Sequence, residues 1–342
     1  MTGILNIAKP PGMTSFDVVA FVRRLLKIKK IGHCGTLDPD AAGVLPICIG
    51  GATGVTDMLA ESGKAYRVEA VPGLLTDTLD ISGAVLDRRA NAMPDRNIFE
   101  CALGSFVGAG IQIPPMYSAI KIGGRKLYEL ARKGVEVERP ARAVGIYALK
   151  TALYKHDRVI IDVECSKGTY IRSLCRDIGE KLGIYLCVSF LLRTKSAGFR
   201  IEDALSVEDV ERNAATGTLE CVMTPVDALF SRFPKAVLAD ARYARFMNGA
   251  SVSVGRSSLS GESGAAWDFM SRAAERASGS EEHASGSEDC AKAEERAKAE
   301  AQEHAAQEFA RVYSDGGRFL GLAYVAPESA DTVSLRVKKF LY

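Results

Sequence analysis

The apolar positions of the first 230 residues fall into alternating strand-like and helix-like segments. GILNIAK, residues 3–9, is a short apolar run that Pro10, Pro11 and Gly12 break. Ser15 then fits as the N-cap of a helix over FDVVAFVRRLLK, with Val18, Val22 and Leu25 along one side. Its other side carries Arg23, Arg24 and Lys27 and continues into Lys29 and Lys30, a cluster that suits either a solvated face or phosphate contact. VIIDVE, residues 159–164, alternates as a half-buried strand with Val159, Ile161 and Val163 on one face. After the polar bend CSKGT, the run YIRSLCRDIGEKLG predicts a helix. Ile171, Leu174, Ile178 and Leu182 form its apolar stripe, Thr169 its N-cap, and Gly183 its C′ stop. This half of the chain is expected to be mixed α/β. Toward the C-terminus, ASVSVG, FARVYS, GRFLGLAYV and TVSLRVKKFLY have the look of strands in a small β-rich domain.

A length of 342 residues suits two domains, here expected at 1–230 and 231–342. With 47% hydrophobic and 25% charged residues, a wholly disordered chain or a collagen-like repeat is excluded. No apolar run approaches the ~18–20 residues that cross a bilayer, and MTGILNIAKPPG lacks the order of charge of a signal peptide. A soluble, cytoplasmic protein without membrane contact is the expectation. The eight cysteines are scattered, with no C-x-x-C pair and no nearby histidine pattern, so thiolate metal binding is disfavoured and buried free thiols are expected.

Net charge is uninformative until it is divided. Residues 256–308 hold 6 Lys+Arg against 12 Asp+Glu, which leaves 38 basic and 30 acidic residues elsewhere. The remainder is basic, as suits a polyanion-binding protein. The acidic stretch repeats an A-S-G-S-E unit and then runs AKAEERAKAEAQEHAAQE, almost free of large apolar residues. Such a composition cannot bury a core, and it is read as an insertion within a loop of the C-terminal domain.

The densest peculiarity is IGHCGTLDPDAAGVLPICIGGATG, residues 31–54. Pro39 pushes Asp38 toward an extended conformation, and Gly32, Gly35 and Gly43 let backbone come close to a neighbour. A carboxylate among Leu37, Ala41, Ala42, Val44 and Leu45 is expensive to keep charged without a cation. Arg172 is the candidate partner. It falls in the first turn of its helix, where a cation opposes the helix dipole unless an anion sits beside it. Hydrolysis of a glycosidic bond generally employs two carboxyl groups. Nothing sets the geometry of Asp40 against Asp38, so a single carboxylate acting covalently is the alternative. His33 suits an acid or base, a hydrogen-bonded loop residue, or an aromatic surface for a base.

In this order, NIAKPPGMTS, GHCGTLDPDAAGVLP, KAYRVEAVPGLLTDTLDISG, QIPPMYSAIKIGGRKLYELARKG and CSKGTYIRSL resemble the bacterial TruB family of tRNA pseudouridine synthases, from about residue 3 to about residue 225. The C-terminal part resembles the small PUA-type RNA-binding domain of bacterial members. The resemblance implies an α+β pseudouridine-synthase fold with a mixed, largely antiparallel sheet. It also implies isomerisation of a T-loop uridine of tRNA to pseudouridine, with no cofactor and no metal, by a monomer. By the G-T-L-D-P block Asp38 is the catalytic aspartate, with attack on C1′ and assistance of elimination both left open. Arg172, in K-G-T-Y-I-R, is expected to keep Asp38 ionised by lowering its pKa. Tyr66, in K-A-Y-R, matches the active-site tyrosine that packs on the base and offers a route for the C5 proton. Without the resemblance, it reads as a core tyrosine on RVEAV. Tyr170 and Leu191 match positions lining the base pocket, His33 the residue filling the space of the flipped base, and Lys9 a support of the site. Asp40, Ala42, Gly51 and Gly54 depart from the family pattern, which often has Leu, Thr and basic residues there.

A loop base must leave its stack before a side chain reaches C1′ and C5, at a cost of a few kcal/mol. Phosphate contacts supply most of the affinity. Lys121, Arg125, Lys126, Arg132 and Lys133, beside Tyr117 and Tyr128, make a second basic patch. The rival readings are a non-catalytic RNA-binding or RNA-folding protein and a pseudouridine synthase for another RNA. Deleting the acidic insertion is expected to preserve release of C5 tritium from labelled tRNA; a collapse of folding on deletion would make the segment structural.

Overall fold

The computed structural model describes residues 1–89, 92–260 and 308–341. Most of the acidic segment expected at 256–308 lies outside them. The chain runs β1 (Gly3–Lys9), α1 (Ser15–Leu26), β2 (Ile31–His33), β3 (Ala42–Ile49), α2 (Thr56–Ala60), β4 (Lys64–Pro72), β5 (Leu74–Thr76), β6 (Val85–Arg88), α3 (Arg96–Gly104) and β7 (Gly108–Gln112). It continues with β8 (Lys121–Ile122), β9 (Arg125–Lys126), α4 (Leu127–Ala131), β10 (Arg142–Tyr154), β11 (Val159–Cys165), α5 (Ile171–Lys181), β12 (Leu186–Ser196), β13 (Phe199–Arg200) and α6 (Val207–Ala215). The C-terminal elements are β14 (Lys235–Leu238), α7 (Asp240–Met247), β15 (Val252–Gly255), β16 (Glu308–Ser314), β17 (Phe319–Pro327) and β18 (Thr332–Phe340).

Two main sheets result. The larger has the order β1-β3-β12-β4-β11-β10-β7, with β2 beside β3 and β13 beside β12. Its pairs are antiparallel except for β3 and β12, which run parallel through Leu192–Ala42 and Arg193–Gly43. This is the mixed, largely antiparallel α+β sheet expected. The smaller sheet, β14-β16-β17-β18-β15, forms a separate β-rich C-terminal domain, and all four strands expected there are present.

The apolar stripes explain the packing. Val18 and Val22 of α1 and Ile171, Leu174 and Ile178 of α5 are buried against one face of the large sheet, together with Val159, Ile161 and Val163 of β11. A second cluster joins the two sheets through Ile4, Val55, Phe230, Leu322 and Leu341. Gly54 belongs to this joint. A Cβ there would stand 2.6 Å from Leu341 Cδ2, so the glycine that departs from the family pattern lets the end of the C-terminal domain close on the large sheet.

Both helix starts differ from expectation. Thr14, not Ser15, caps α1: its hydroxyl accepts from Asp17 N at 3.0 Å, and Asp17 Oδ2 accepts from Thr14 N at 2.8 Å, a reciprocal capping box. Ser15 is instead buried in the first turn and clamps Leu37, accepting from its N–H at 2.8 Å. At α5 the N-cap is Tyr170, not Thr169, and no side chain of its own caps it. Gln112 does that work from β7, accepting from Tyr170 N at 2.8 Å and donating to Tyr170 O at 3.0 Å. A local pattern cannot register a partner supplied by another strand.

Two further details come from the structure. At the start of the segment read as an insertion, residues 256–260 are bonded to the C-terminal domain: Arg256 N donates to Asp331 O at 2.8 Å, and Lys235 and Ser260 exchange backbone bonds of 2.7 and 2.9 Å. Glu308 already belongs to β16. Cys34, Cys48, Cys165, Cys175 and Cys187 are buried and free as expected, but Cys101 and Cys221 are exposed; Cys290 lies outside the described residues.

Gly43 shows how tightly the parallel joint is drawn. Its φ is +110°, and a Cβ would stand 2.2 Å from the carbonyl oxygen of Arg193. Gly43→Ala is expected to lower the unfolding free energy by at least about 2 kcal/mol through strain and overpacking, measured by denaturant unfolding. An unchanged midpoint would contradict the close approach.

Candidate active site

Asp38 sits in the loop between β2 and β3, and the preceding segments hold that loop from below. Lys9, fully buried at the end of β1, donates from Nζ to Pro10 O at 2.9 Å, Met13 O at 2.6 Å and Pro39 O at 2.9 Å. Gly12 N also donates to Pro39 O, at 2.9 Å. The Lys-Pro-Pro-Gly stretch therefore does more than end a strand: its ammonium and backbone bind the Asp-Pro turn. Burial pushes the Lys9 ammonium down to about 8, against the pull of Asp40 and Asp38.

Arg172 meets Asp38 as the sequence suggests. Its Nη2 lies 2.7 Å from Asp38 Oδ2, although the two residues belong to distant segments. The two terminal nitrogens have further partners: Nη1 donates to Thr78 O at 2.8 Å and Nη2 to Tyr117 O at 2.9 Å. Nη1 also stands 3.5 Å from Asp80 Oδ2, so the cation is shared by two carboxylates. Asp80 is one residue that sequence reasoning missed. Its only signal was its place in TDTLDISG, where Thr78 and Ser82 bond its carboxylate, the pattern of an ordinary turn.

Arg172 lowers the Asp38 pKa as expected, but it does not act alone. Asp38 lines the cleft, and desolvation there lifts its carboxylate above the usual aspartate range. Arg172 pulls it down, while Asp80 and Asp40 push it further up. The guanidinium is therefore a partial compensation for burial rather than the dominant influence.

Around the pair lies a cleft of about 300 Å³ lined by Asp38, Tyr66, Tyr170, Arg172 and Leu191, all named from the sequence. Lys64, Ser118 and Lys167 also line it and were not singled out. Tyr66 projects from β4 and is both a core residue and a cleft wall; burial pushes its phenol up to about 12. His33, on β2, is not among the lining residues. Burial first, then Arg193, holds its imidazole below the usual histidine range. In the first basic cluster Arg24, Lys27, Lys29 and Lys30 are exposed, whereas Arg23 spends a donor on Ile31 O at 2.7 Å. In the second, Lys126 and Arg132 stand over the Tyr128 ring at 5.4 and 5.5 Å.

Residues 23–171 match the family model for the N-terminal domain of TruB family pseudouridylate synthases, and residues 172–231 match that for the C-terminal domain of tRNA pseudouridylate synthase B. A protein named tRNA pseudouridine synthase B from Alkaliphilus oremlandii is 51% identical over 249 residues, covering 73% of this chain and 82% of that one. The chain belongs to the TruB family. A second member under the same name, from Bacillus licheniformis, is 44% identical over 254 residues, 72% of this chain and 82% of its own. At the level of fold, this chain is similar to a chain of an H/ACA ribonucleoprotein bound to a substrate RNA containing 2′-deoxyuridine, with a TM-score of 0.64, 21% identity, and coverage of 99% of this chain and 85% of the other. A chain of an archaeal box H/ACA complex gives the same TM-score at 20% identity, over 99% and 86% of the two chains.

The electrostatics of the pair can be measured directly. Arg172→Met is expected to raise the Asp38 titration midpoint above that of the parent, and Asp80→Asn to lower it, as read from the carboxyl carbon by NMR. A midpoint that stays or rises in Asp80→Asn would contradict the sharing of one cation by two carboxylates.

Proposed function

We propose that this TruB-family chain isomerises a uridine in the T-loop of tRNA to pseudouridine, with Asp38 as the catalytic aspartate. The observation that carries the proposal is a carboxylate and a guanidinium 2.7 Å apart in a cleft walled by aromatic and aliphatic side chains. A cavity of about 300 Å³ is at the small end of ligand sites and suits a single everted base rather than a duplex.

In the isomerisation the N1–C1′ bond breaks, the uracil turns, and C5 bonds to C1′. The base never leaves, so one carboxylate facing the sugar suffices and no incoming water is needed. Arg172 holds Asp38 aimed and charged, and Asp80 anchors Arg172 from its other edge. Tyr66, Tyr170 and Leu191 sandwich the base while it turns, and Tyr66 stands as the acceptor of the C5 proton. His33, outside the lining of the cleft, fits the space that the target nucleotide vacates in the T-loop. Lys9 supports the Asp-Pro turn.

Affinity comes from phosphate contacts along the exposed Arg24–Lys30 ridge and the Lys121–Lys133 patch. The C-terminal sheet, with Lys235 over Tyr313 at 4.5 Å and Lys338 over Tyr324 at 4.8 Å, serves as a PUA-type RNA-binding domain. The proposed form is a monomer, and the proposed setting is the cytoplasm, where tRNA is modified. A non-catalytic RNA-binding role needs neither the Asp38–Arg172 pair nor a base-sized cavity above it.

Tritium release from C5-tritiated tRNA tests the reading. Stoichiometric release is expected from the parent, and a loss of at least about a thousand-fold from Asp38→Asn with tRNA binding retained. Ionised Asp38 is the reactive form and its pKa stands above the ordinary 3.8. Activity should therefore be lost as pH falls, with a midpoint above that value. Release at the parent rate by Asp38→Asn would overturn the assignment.

A further inference from the structure

The chemistry above leaves Arg193 without a part, yet its placement is costly. It lies on β12, opposite Tyr66 of β4 on one side and Gly43 of β3 on the other. Its side chain is completely buried. The nearby carboxylates Asp38 and Asp80 are paired with Arg172, and among the described residues Arg193 forms no ion pair. Its donors go to backbone carbonyls instead: Nε to Val44 O at 2.8 Å, Nη1 to Thr36 O at 3.3 Å, and Nη2 to Gly35 O at 3.1 Å.

A buried cation without a counter-charge is expensive, and a neutral amide can satisfy carbonyls with far less desolvation. Retaining a charge here makes physical sense where charge develops nearby. Two features locate that place. Gly35 and Thr36 lead directly into Asp38, so the guanidinium fork sets the near end of the catalytic loop. The same arginine stands opposite Tyr66 across the β12–β4 ladder, and Tyr66 forms a wall of the cleft that Arg193 itself does not line.

We propose that Arg193 is a positioning residue for the proton transfer that completes the isomerisation, holding the loop of Asp38 and the oxygen of Tyr66 in one rigid frame. The inference rests on the function proposed above. After C5 has bonded to C1′, the C5 proton passes to Tyr66 Oη as the phenolate, the electron pair of the C5–H bond returns to the ring, and N1 takes a proton from water. Tyr66 then returns its proton to solvent, so substrate and product remain isomers. Burial opposes the phenolate, and Arg193 is the largest influence in its favour; Cys165 and Asp38 also face the phenol and disfavour its ionisation. Arg193 in turn is faced by Tyr66, Cys34 and Asp38, and its charge is felt at Lys9, His33 and Lys64.

The test uses the full chain with Arg193→Lys and Arg193→Gln, and tRNA carrying protium, deuterium or tritium at uridine C5. For Arg193→Lys, kcat should fall by about 10- to 100-fold with KM near that of the parent. The C5 deuterium isotope effect should exceed the parent's, because the transfer becomes slower than the steps around it. In Arg193→Gln, loss of the charge raises the Tyr66 pKa, so the remaining activity should require higher pH than in the parent, by a larger displacement than in Arg193→Lys. The proposal is overturned if both variants keep the parent's kcat and isotope effect, if the loss lies in KM alone, or if both variants fail to fold, which would assign Arg193 to the scaffold. A parent that releases no tritium defeats the proposed function itself; a releasing parent with unaffected variants defeats only the role of Arg193.

Discussion

The site depends on a guanidinium held in the first turn of a helix, where the helix dipole repels it. Arg172 is nearly fully buried, and two carboxylates and two backbone carbonyls offset that placement. These partners come from three segments: the Asp-Pro loop, the β5–β6 turn that carries Thr78 and Asp80, and the stretch around Tyr117. Removing water from a cation is tolerable only when its donors are all satisfied, so this single residue obliges three loops to converge. Their convergence is what makes a cleft.

Under that arrangement lies a rigid sheet. β12 stands between β3, which carries the Asp38 loop, and β4, which carries Tyr66, and it joins them through one parallel and one antiparallel ladder. Gly43 allows β3 and β12 to approach more closely than any side chain would permit. From below, Lys9 and Ser15 bind Pro39 and Leu37 by their side chains. The Asp38 loop is thus irregular in conformation yet tied on every side by hydrogen bonds, as a site that must hold a sub-ångström geometry requires.

The second sheet is not independent of the first. Leu322 and Leu341 share a core cluster with Ile4, Cys48 and Val55, and Tyr313 donates to Asp227 Oδ2 at 2.8 Å. Gly54, unremarkable in the sequence beyond its departure from the family pattern, is where this joint closes. A basic residue at that position would suit phosphate contact; in this chain the space belongs to Leu341 instead.

Much was legible in the chain alone. The alternation of VIIDVE, the stripe of α5 and the four C-terminal strands follow from periodicity, because burial of one face imposes a repeat that any sequence must display. The pairing of Asp38 with Arg172 was also accessible, since each residue violates a local rule that the other relieves. Local sequence could not supply what distant segments contribute. Gln112 replaces Thr169 at the start of α5, Asp80 shares the cation, and Arg193 reaches back to Gly35 and Thr36. Nor could it set the direction of the Asp38 shift, because the balance between an opposite charge and lost solvent depends on how deeply the cleft encloses the carboxylate. Residue types and spacing determine which elements form and which charges need partners. Only the folded chain decides which partners arrive and how much water they exclude, because both depend on distances that the sequence does not contain.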